Sequence, residues 1–211
     1  MLLTVVDYGV GNLRSIAKSI EKANSDNNLN YSVKISSDVK DIKKSDKIVL
    51  PGQGSFKGCK KGIDNIKGLQ EELNESILVK KKPIYGICAG MQLFATTGHE
   101  EEKTSGLNWI PGEVIKLDLG SSELKIPHMG WNELKVENNS KVFKDEINKH
   151  HAYFIHSYEF IPNDEKNVSI TANYGKDVIA AVSFENIFGS QFHPEKSQNT
   201  GLQILTNFLN L

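Results

Sequence analysis

Two hydrophobic rhythms divide the chain. In the first half, Leu2–Val6 is a short apolar run rich in β-branched residues, followed by Leu13, Ile16, Ala17 and Ile20 at helical spacing within Asn12–Ala23. Tyr31–Ile35 alternates as a strand, and Lys47–Leu50 is a short strand halted by Pro51-Gly52-Gln53-Gly54. Leu69, Leu73, Ile77 and Leu78 mark an amphipathic helix over Leu69–Val79, Pro83–Ile87 a buried strand, and Gly90–Thr97 a helix. Strands alternating with helices predict an α/β fold, a mostly parallel central sheet flanked by helices. In the second half the strands crowd together: Gly112–Leu117, Leu124–Ile126, Trp131–Val136, Tyr153–Phe160, Val168–Asn173, Val178–Phe184 and Ile187–Phe192. Additional antiparallel strands are expected there, then a closing helix over Thr200–Leu209. The charged stretches 141–149 and Glu100–Lys103 read as solvated loops. No long linker interrupts the chain, so residues 1–211 are expected to form one domain.

Composition narrows the function classes. The chain has 211 residues, with Lys+Arg 25 against Asp+Glu 26 and a net charge of −1. That balance argues against a nucleic-acid binder. Arg14 is the only arginine, so bidentate phosphate clamps are not expected. No apolar run is long enough to span a membrane. The opening Met1–Asp7 reads as a strand rather than an export signal, and Cys59 and Cys88 form no disulfide framework, so a cytoplasmic setting with reduced thiols is expected. No Cys/His spacing matches a zinc site, and no cofactor is called for.

The chemistry concentrates at Gly86-Ile87-Cys88-Ala89-Gly90-Met91-Gln92, where a buried strand meets Gly-x-Cys-x-Gly and a helix. This is the thiol form of a nucleophile elbow. Cys88 then stands at a helix N-terminus, which favours thiolate, and the Ala89 N–H is aimed at a developing oxyanion. A core cysteine between packing glycines is the alternative. Cys59, in Lys57-Gly58-Cys59-Lys60, has no comparable setting. A thiol nucleophile needs a base, and His193-Pro194-Glu195 offers one: extended backbone at His193 would let Glu195 project beside it and hold one ring nitrogen. His156 and His128 are competing bases without an acid at a fixed offset; His99, His150 and His151 read as exposed. The turn after Lys47–Leu50 could add a second oxyanion donor near Gly52 and Gln53.

Taken together, the Gly86–Gln92 and Gln191-Phe192-His193-Pro194-Glu195 segments resemble the nucleophile and His-x-Glu motifs of the class I, triad-type glutamine amidotransferases. Asp7-Tyr8-Gly9-Val10-Gly11-Asn12, Leu50–Phe56, Pro127-His128-Met129-Gly130-Trp131-Asn132 and Tyr153–Tyr158 extend the likeness over nearly the whole chain. The resemblance implies glutamine as substrate, Cys88 as nucleophile, His193 as general base then acid, and Glu195 as the orienting carboxylate. It implies oxyanion N–H groups from Gln53 and Ala89, and substrate contacts from Gly54, Gln92, Glu100, His156, Ser157 and Tyr158. It further implies a heterodimer with a (β/α)₈-barrel cyclase that consumes the ammonia, docked through Asn12, Trp131, Tyr153 and Lys196. Ala89 departs from the larger aliphatic residue of many relatives, which leaves its N–H unaffected. A glutaminase serving a sugar-amidating enzyme and a non-catalytic module on the same fold are the competing expectations.

Overall fold

The computed structural model describes residues 1–120 and 124–211. Its strands are β1 (Leu2–Val6), β2 (Ser32–Ser36), β3 (Lys47–Leu50), β4 (Ile84–Ile87), β5 (Thr97–Glu100), β6 (Glu102–Ser105) and β7 (Gly112–Lys116). The remaining strands are β8 (His128–Glu133), β9 (Lys135–Val136), β10 (His151–His156), β11 (Tyr158–Pro162), β12 (Val168–Asn173), β13 (Asp177–Phe184) and β14 (Ile187–Ser190). The helices are α1 (Leu13–Asp26), α2 (Val39–Lys44), α3 (Phe56–Asp64), α4 (Leu69–Asn74), α5 (Ala89–Gln92) and α6 (Gln198–Leu209).

The main sheet runs β2-β1-β3-β4-β14-β13-β12-β9. From β2 to β14 every pairing is parallel. The chain then folds back antiparallel through β13, β12 and β9. The inner parallel strands are buried on both faces, β3 and β4 completely, which is why they read as continuous apolar runs, whereas the edge strand β2 is largely exposed and alternates. One face is covered by α1 and α6, whose Ile16, Ile20, Ile204, Leu205 and Phe208 join Tyr85, Phe143 and Phe154 in one core. The other carries α3, α4 and α5, with Phe56, Cys59, Ile63, Leu73, Met91 and Phe94. The buried Lys47 ammonium donates to the carbonyls of Phe208 and Leu209, both at 2.7 Å, capping the last turn of α6.

Four local readings change. The helix expected over Gly90–Thr97 is only α5, because the Leu93 and Thr96 carbonyls accept from the Leu107 and Gly106 N–H groups instead of continuing the helix, and the chain turns into β5. Glu100–Lys103 is not a loop but the tip of the antiparallel β5–β6 pair, which lies in a separate sheet ordered β11-β7-β5-β6. The 141–149 stretch keeps its charges outside yet buries Val142, Phe143 and Ile147. Leu124–Ile126 is not a strand.

Candidate active site

Three neighbouring parallel strands end at the same edge of the sheet, where open α/β folds place their reactive crevice. β3 delivers Pro51–Gly54, β4 delivers Cys88, and β14 leads through Gln191 and Phe192 to His193. The crevice is a cavity of about 690 Å³.

Cys88 sits at φ 53° and ψ −117°, a left-handed backbone position that a side chain tolerates only when its surroundings hold it there. The hold is visible. Its N–H donates to the Ser190 carbonyl at 2.8 Å, tying the elbow to β14. On the other side the elbow presses against the β3 loop, backbone to backbone. A Cβ on Gly90 would lie 2.1 Å from the Leu50 carbonyl oxygen, and one on Gly52 would lie 2.0 Å from the Gly90 nitrogen. Both glycines are therefore required by contact rather than by turn geometry. α5 has only four residues, so a long-helix field does not act on the sulfur; what remains is the Ala89 N–H, which as the first helical residue has no intrahelical acceptor.

His193 Nδ1 lies 2.8 Å from Glu195 Oε1, and both side chains are almost wholly buried. The pair does not project from one extended strand, as the spacing suggested. His193 itself is extended, but Pro194–Lys196 form a 3₁₀ turn that swings Glu195 back under the ring. Glu195 Oε2 is buried with no hydrogen-bond partner among the described residues, leaving the carboxylate charge directed at the imidazole. Burial alone would push the His193 pKa down. Hydrogen bonding and charge from Cys88 and Glu195 outweigh it, and the imidazole is pushed up to about 9. The ring therefore favours the protonated form at neutral pH.

The remaining expected residues gather at this cavity. Asn12, Gln53, Gly54, Cys88, Ala89, Gln92, Glu100, His156, Ser157, Tyr158, His193, Glu195 and Lys196 all line it. Glu100 carries a second duty, since its Oε2 accepts from the Phe56 N–H at the start of α3 at 2.6 Å. Trp131 and Tyr153 lie outside the cavity as a cross-strand pair of β8 and β10, edge to face at 6.1 Å, with the Lys196 ammonium 5.5 Å above the Tyr153 ring. Cys59 is buried, its sulfur 3.4 Å from the Gln53 carbonyl, and desolvation pushes its pKa up to about 11. It is an inert thiol beneath the β3 loop.

The competing histidines have a different occupation. His156 Nδ1 donates to the Tyr158 carbonyl at 2.9 Å, since a carbonyl can only accept. Its Nε2 must then accept from His128 Nδ1 at 3.0 Å, and His128 Nε2 from the Asn132 carboxamide at 3.2 Å. Stacked between Phe154 and Tyr174, His128 is pushed down to about 4 by burial, and His156 to about 3. Both rings are neutral hydrogen-bond relays with no lone pair free for Cys88. Sequence reasoning left them open because a lone histidine carries no sign of its tautomer.

One residue in contact with the nucleophile was passed over as a motif flank. Gln191 is fully buried, and its Nε2 lies 3.5 Å from the Cys88 sulfur. The sulfur also lies 4.0 Å from the Ile155 carbonyl, which can accept its proton in the thiol form. Among the described residues no group of His, Cys, Asp and Glu is arranged to hold a metal, and no helix is long and apolar enough to cross a membrane.

This arrangement of thiol, imidazole and carboxylate coincides with membership of a known enzyme class. The profile of the class I glutamine amidotransferases matches residues 4–211, and the chain belongs to that family. Glutamine amidotransferase crystal structures share the fold: one superposes with TM-score 0.70 at 16% identity over 99% of each chain, and one from Thermotoga maritima with 0.64 at 17% identity over 95% of this chain and 78% of the other. Within the class, the chain is 48% identical over 211 residues to the imidazole glycerol phosphate synthase subunit HisH of Pelagibacter ubique, covering 100% of both. It is 44% identical over 216 residues to the HisH subunit of Bradyrhizobium diazoefficiens, covering 99% of this chain and 98% of that one. Its place in the class is thus among the HisH subunits.

Proposed function

We propose that this chain is the glutaminase of an imidazole glycerol phosphate synthase in histidine biosynthesis, acting as a single domain that releases ammonia from glutamine and passes it to a docked (β/α)₈-barrel cyclase. The observation that carries the mechanism is the strained Cys88, facing an imidazole that Cys88 itself and the buried Glu195 carboxylate keep protonated.

In the first half-reaction the Cys88 sulfur, its proton already resting on His193, attacks the side-chain amide carbon of glutamine. The carbonyl oxygen becomes an oxyanion beside the Ala89 N–H and the N–H of Gln53, both at the cavity wall. The C–N bond breaks as His193 returns the proton to nitrogen, so ammonia leaves and a γ-glutamyl thioester remains. In the second half, His193 takes a proton from water, the hydroxide adds to the thioester, and collapse expels the Cys88 sulfur as thiolate beside the protonated His193 while the released glutamate gives its carboxyl proton to solvent. Glu195 stays ionised throughout, fixing the ring tautomer and stabilising imidazolium. The free oxygen of Glu100 and the Oε1 of Gln92 suit the substrate ammonium, and Gly54, His156, Ser157 and Tyr158 shape the pocket around it.

Free ammonia protonates and diffuses, so the acceptor enzyme must close over the cavity. The rim offers an apolar landing surface beside Asn12, Tyr153 and Lys196: Met129 and Trp131 are 58% and 49% exposed on β8. The decisive assay uses Cys88→Ser together with the barrel subunit and its ribotide substrate. Glutamine-dependent synthesis should vanish while added ammonium salts still support it. A folded, partner-binding variant that retains glutamine-dependent synthesis would overturn the nucleophile assignment.

A further inference from the structure

We propose that Gln191 is a further catalytic residue, a dedicated hydrogen-bond donor to the Cys88 sulfur that favours its thiolate form. The argument begins with which way two carboxamides face. A glutamine side chain has an accepting and a donating end that look alike in shape, so orientation must come from neighbours of fixed character. Such a neighbour exists here. The Tyr158 carbonyl oxygen can only accept, and it lies 3.1 Å from the amide of Gln92, so the group facing it is Gln92 Nε2. That same Nε2 lies 2.8 Å from Gln191, which must present its oxygen there. The Gln191 amino group is then left with one direction, toward Cys88 Sγ at 3.5 Å. The backbone of Gln191 is equally constrained, its N–H donating to the Ala180 carbonyl at 2.8 Å on the neighbouring strand β13.

The consequence is directional. A carboxamide N–H stabilises a negative sulfur more than a neutral one, whereas the Ile155 carbonyl, 4.0 Å from the sulfur, can hold only the thiol proton. Leaving that carbonyl for Gln191 and His193 is what the deprotonating sulfur does. Because Gln191 is fully buried, its dipole acts without competing water and is held in place before substrate arrives. This deepens the glutaminase reading, but its test reads the sulfur directly.

The experiment is the pH dependence of Cys88 alkylation by iodoacetamide, followed by mass spectrometry of the Cys88 peptide in the full chain, with the Cys59 peptide as internal control. Gln191→Met removes the donor at similar length. Gln191→Glu keeps the acceptor for Gln92 but turns an oxygen toward the sulfur. Both should move the alkylation midpoint upward, the first by about one pH unit, which is tenfold in thiolate at a given pH, and the second further. In complex with the cyclase subunit, kcat for glutamine should fall by about the same tenfold while KM changes little. An unchanged alkylation midpoint in either folded variant overturns the proposal, even if turnover falls. Alkylation requires no glutamine, so a shifted midpoint in a chain with no glutaminase activity would support the role of Gln191 and count against the substrate assignment alone.

Discussion

At the scale of single residues, the site is organised around where one proton rests. His193 is pushed up to about 9 although burial works against its charge, so the charges and hydrogen bonds of Cys88 and Glu195 are the stronger influence. Removing either should lower it. In an NMR titration the His193 midpoint should fall from near 9 in Cys88→Ala and again in Glu195→Gln; a midpoint that stays would mean that neither neighbour sets the charge of the ring. The linkage has a definite sign. A histidine raised from about 6.5 stabilises the fold fully below that value, and the contribution is lost as pH rises through about 9. The thermal midpoint of the wild type should therefore drop between those limits relative to His193→Gln. Glutamine turnover should fall over the same alkaline range as imidazolium disappears. The identities of this trio were legible in the sequence, from Gly-x-Cys-x-Gly and His-Pro-Glu. The direction of each hydrogen bond was not, because tautomers and carboxamide orientations are fixed by carbonyls such as Tyr158 that arrive from another strand.

At the scale of elements, β4 and β14 were legible as apolar runs because both are buried on two faces. The elements missed include α2, β5, β6 and, closest to the site, α3. Its buried positions, Phe56, Cys59 and Ile63, keep helical spacing, and Ser55 caps it by accepting from the Gly58 N–H at 3.1 Å. Two glycines and a lysine run hid that pattern, and at least one of the glycines serves packing: a Cβ on Gly62 would lie 2.5 Å from the Tyr8 carbonyl oxygen. The same logic predicts the most sensitive point of the elbow. Gly90→Ala drives a methyl group into the Leu50 carbonyl, which belongs to β3 and cannot withdraw. We expect a destabilisation of about 1–3 kcal/mol, typical of overpacking, with displacement of the β3 loop and loss of glutaminase activity. Chemical denaturation and a glutaminase assay check it. Gly54→Ala, at φ 88° but with open space around it, should cost only the backbone strain, so a larger loss of stability there than at Gly90 would contradict the contact argument.

At the scale of the whole molecule, the two-stranded β8–β10 sheet links the outside to the segment that carries His193. Its outward side chains pair Met129 with Ile155 and Trp131 with Tyr153; Met129, Trp131 and Ile155 are exposed, and Tyr153 is half-buried under Lys196. Its inner edge holds the histidine segment, the His193 N–H donating to the Tyr153 carbonyl at 3.0 Å and the Ser197 hydroxyl tying the same two segments together. A partner seated on Trp131 and Tyr153 would therefore press on the strand that positions His193. None of this was readable from periodicity, since Trp131 and Met129 occupy alternate strand positions that would normally face a core, yet both are exposed. Exposed aromatic side chains at the centre of an apolar patch are where docking energy concentrates. Trp131→Ala should weaken binding of the barrel subunit by about 2 kcal/mol or more, roughly 30-fold in Kd, while the thermal midpoint of the isolated chain changes little. Titration calorimetry against the barrel subunit measures the first and a melting curve the second. Unchanged affinity in the folded variant would move the docking face elsewhere, whereas weakened affinity with a lower kcat at saturating partner would show that the β8–β10 sheet also transmits docking to His193.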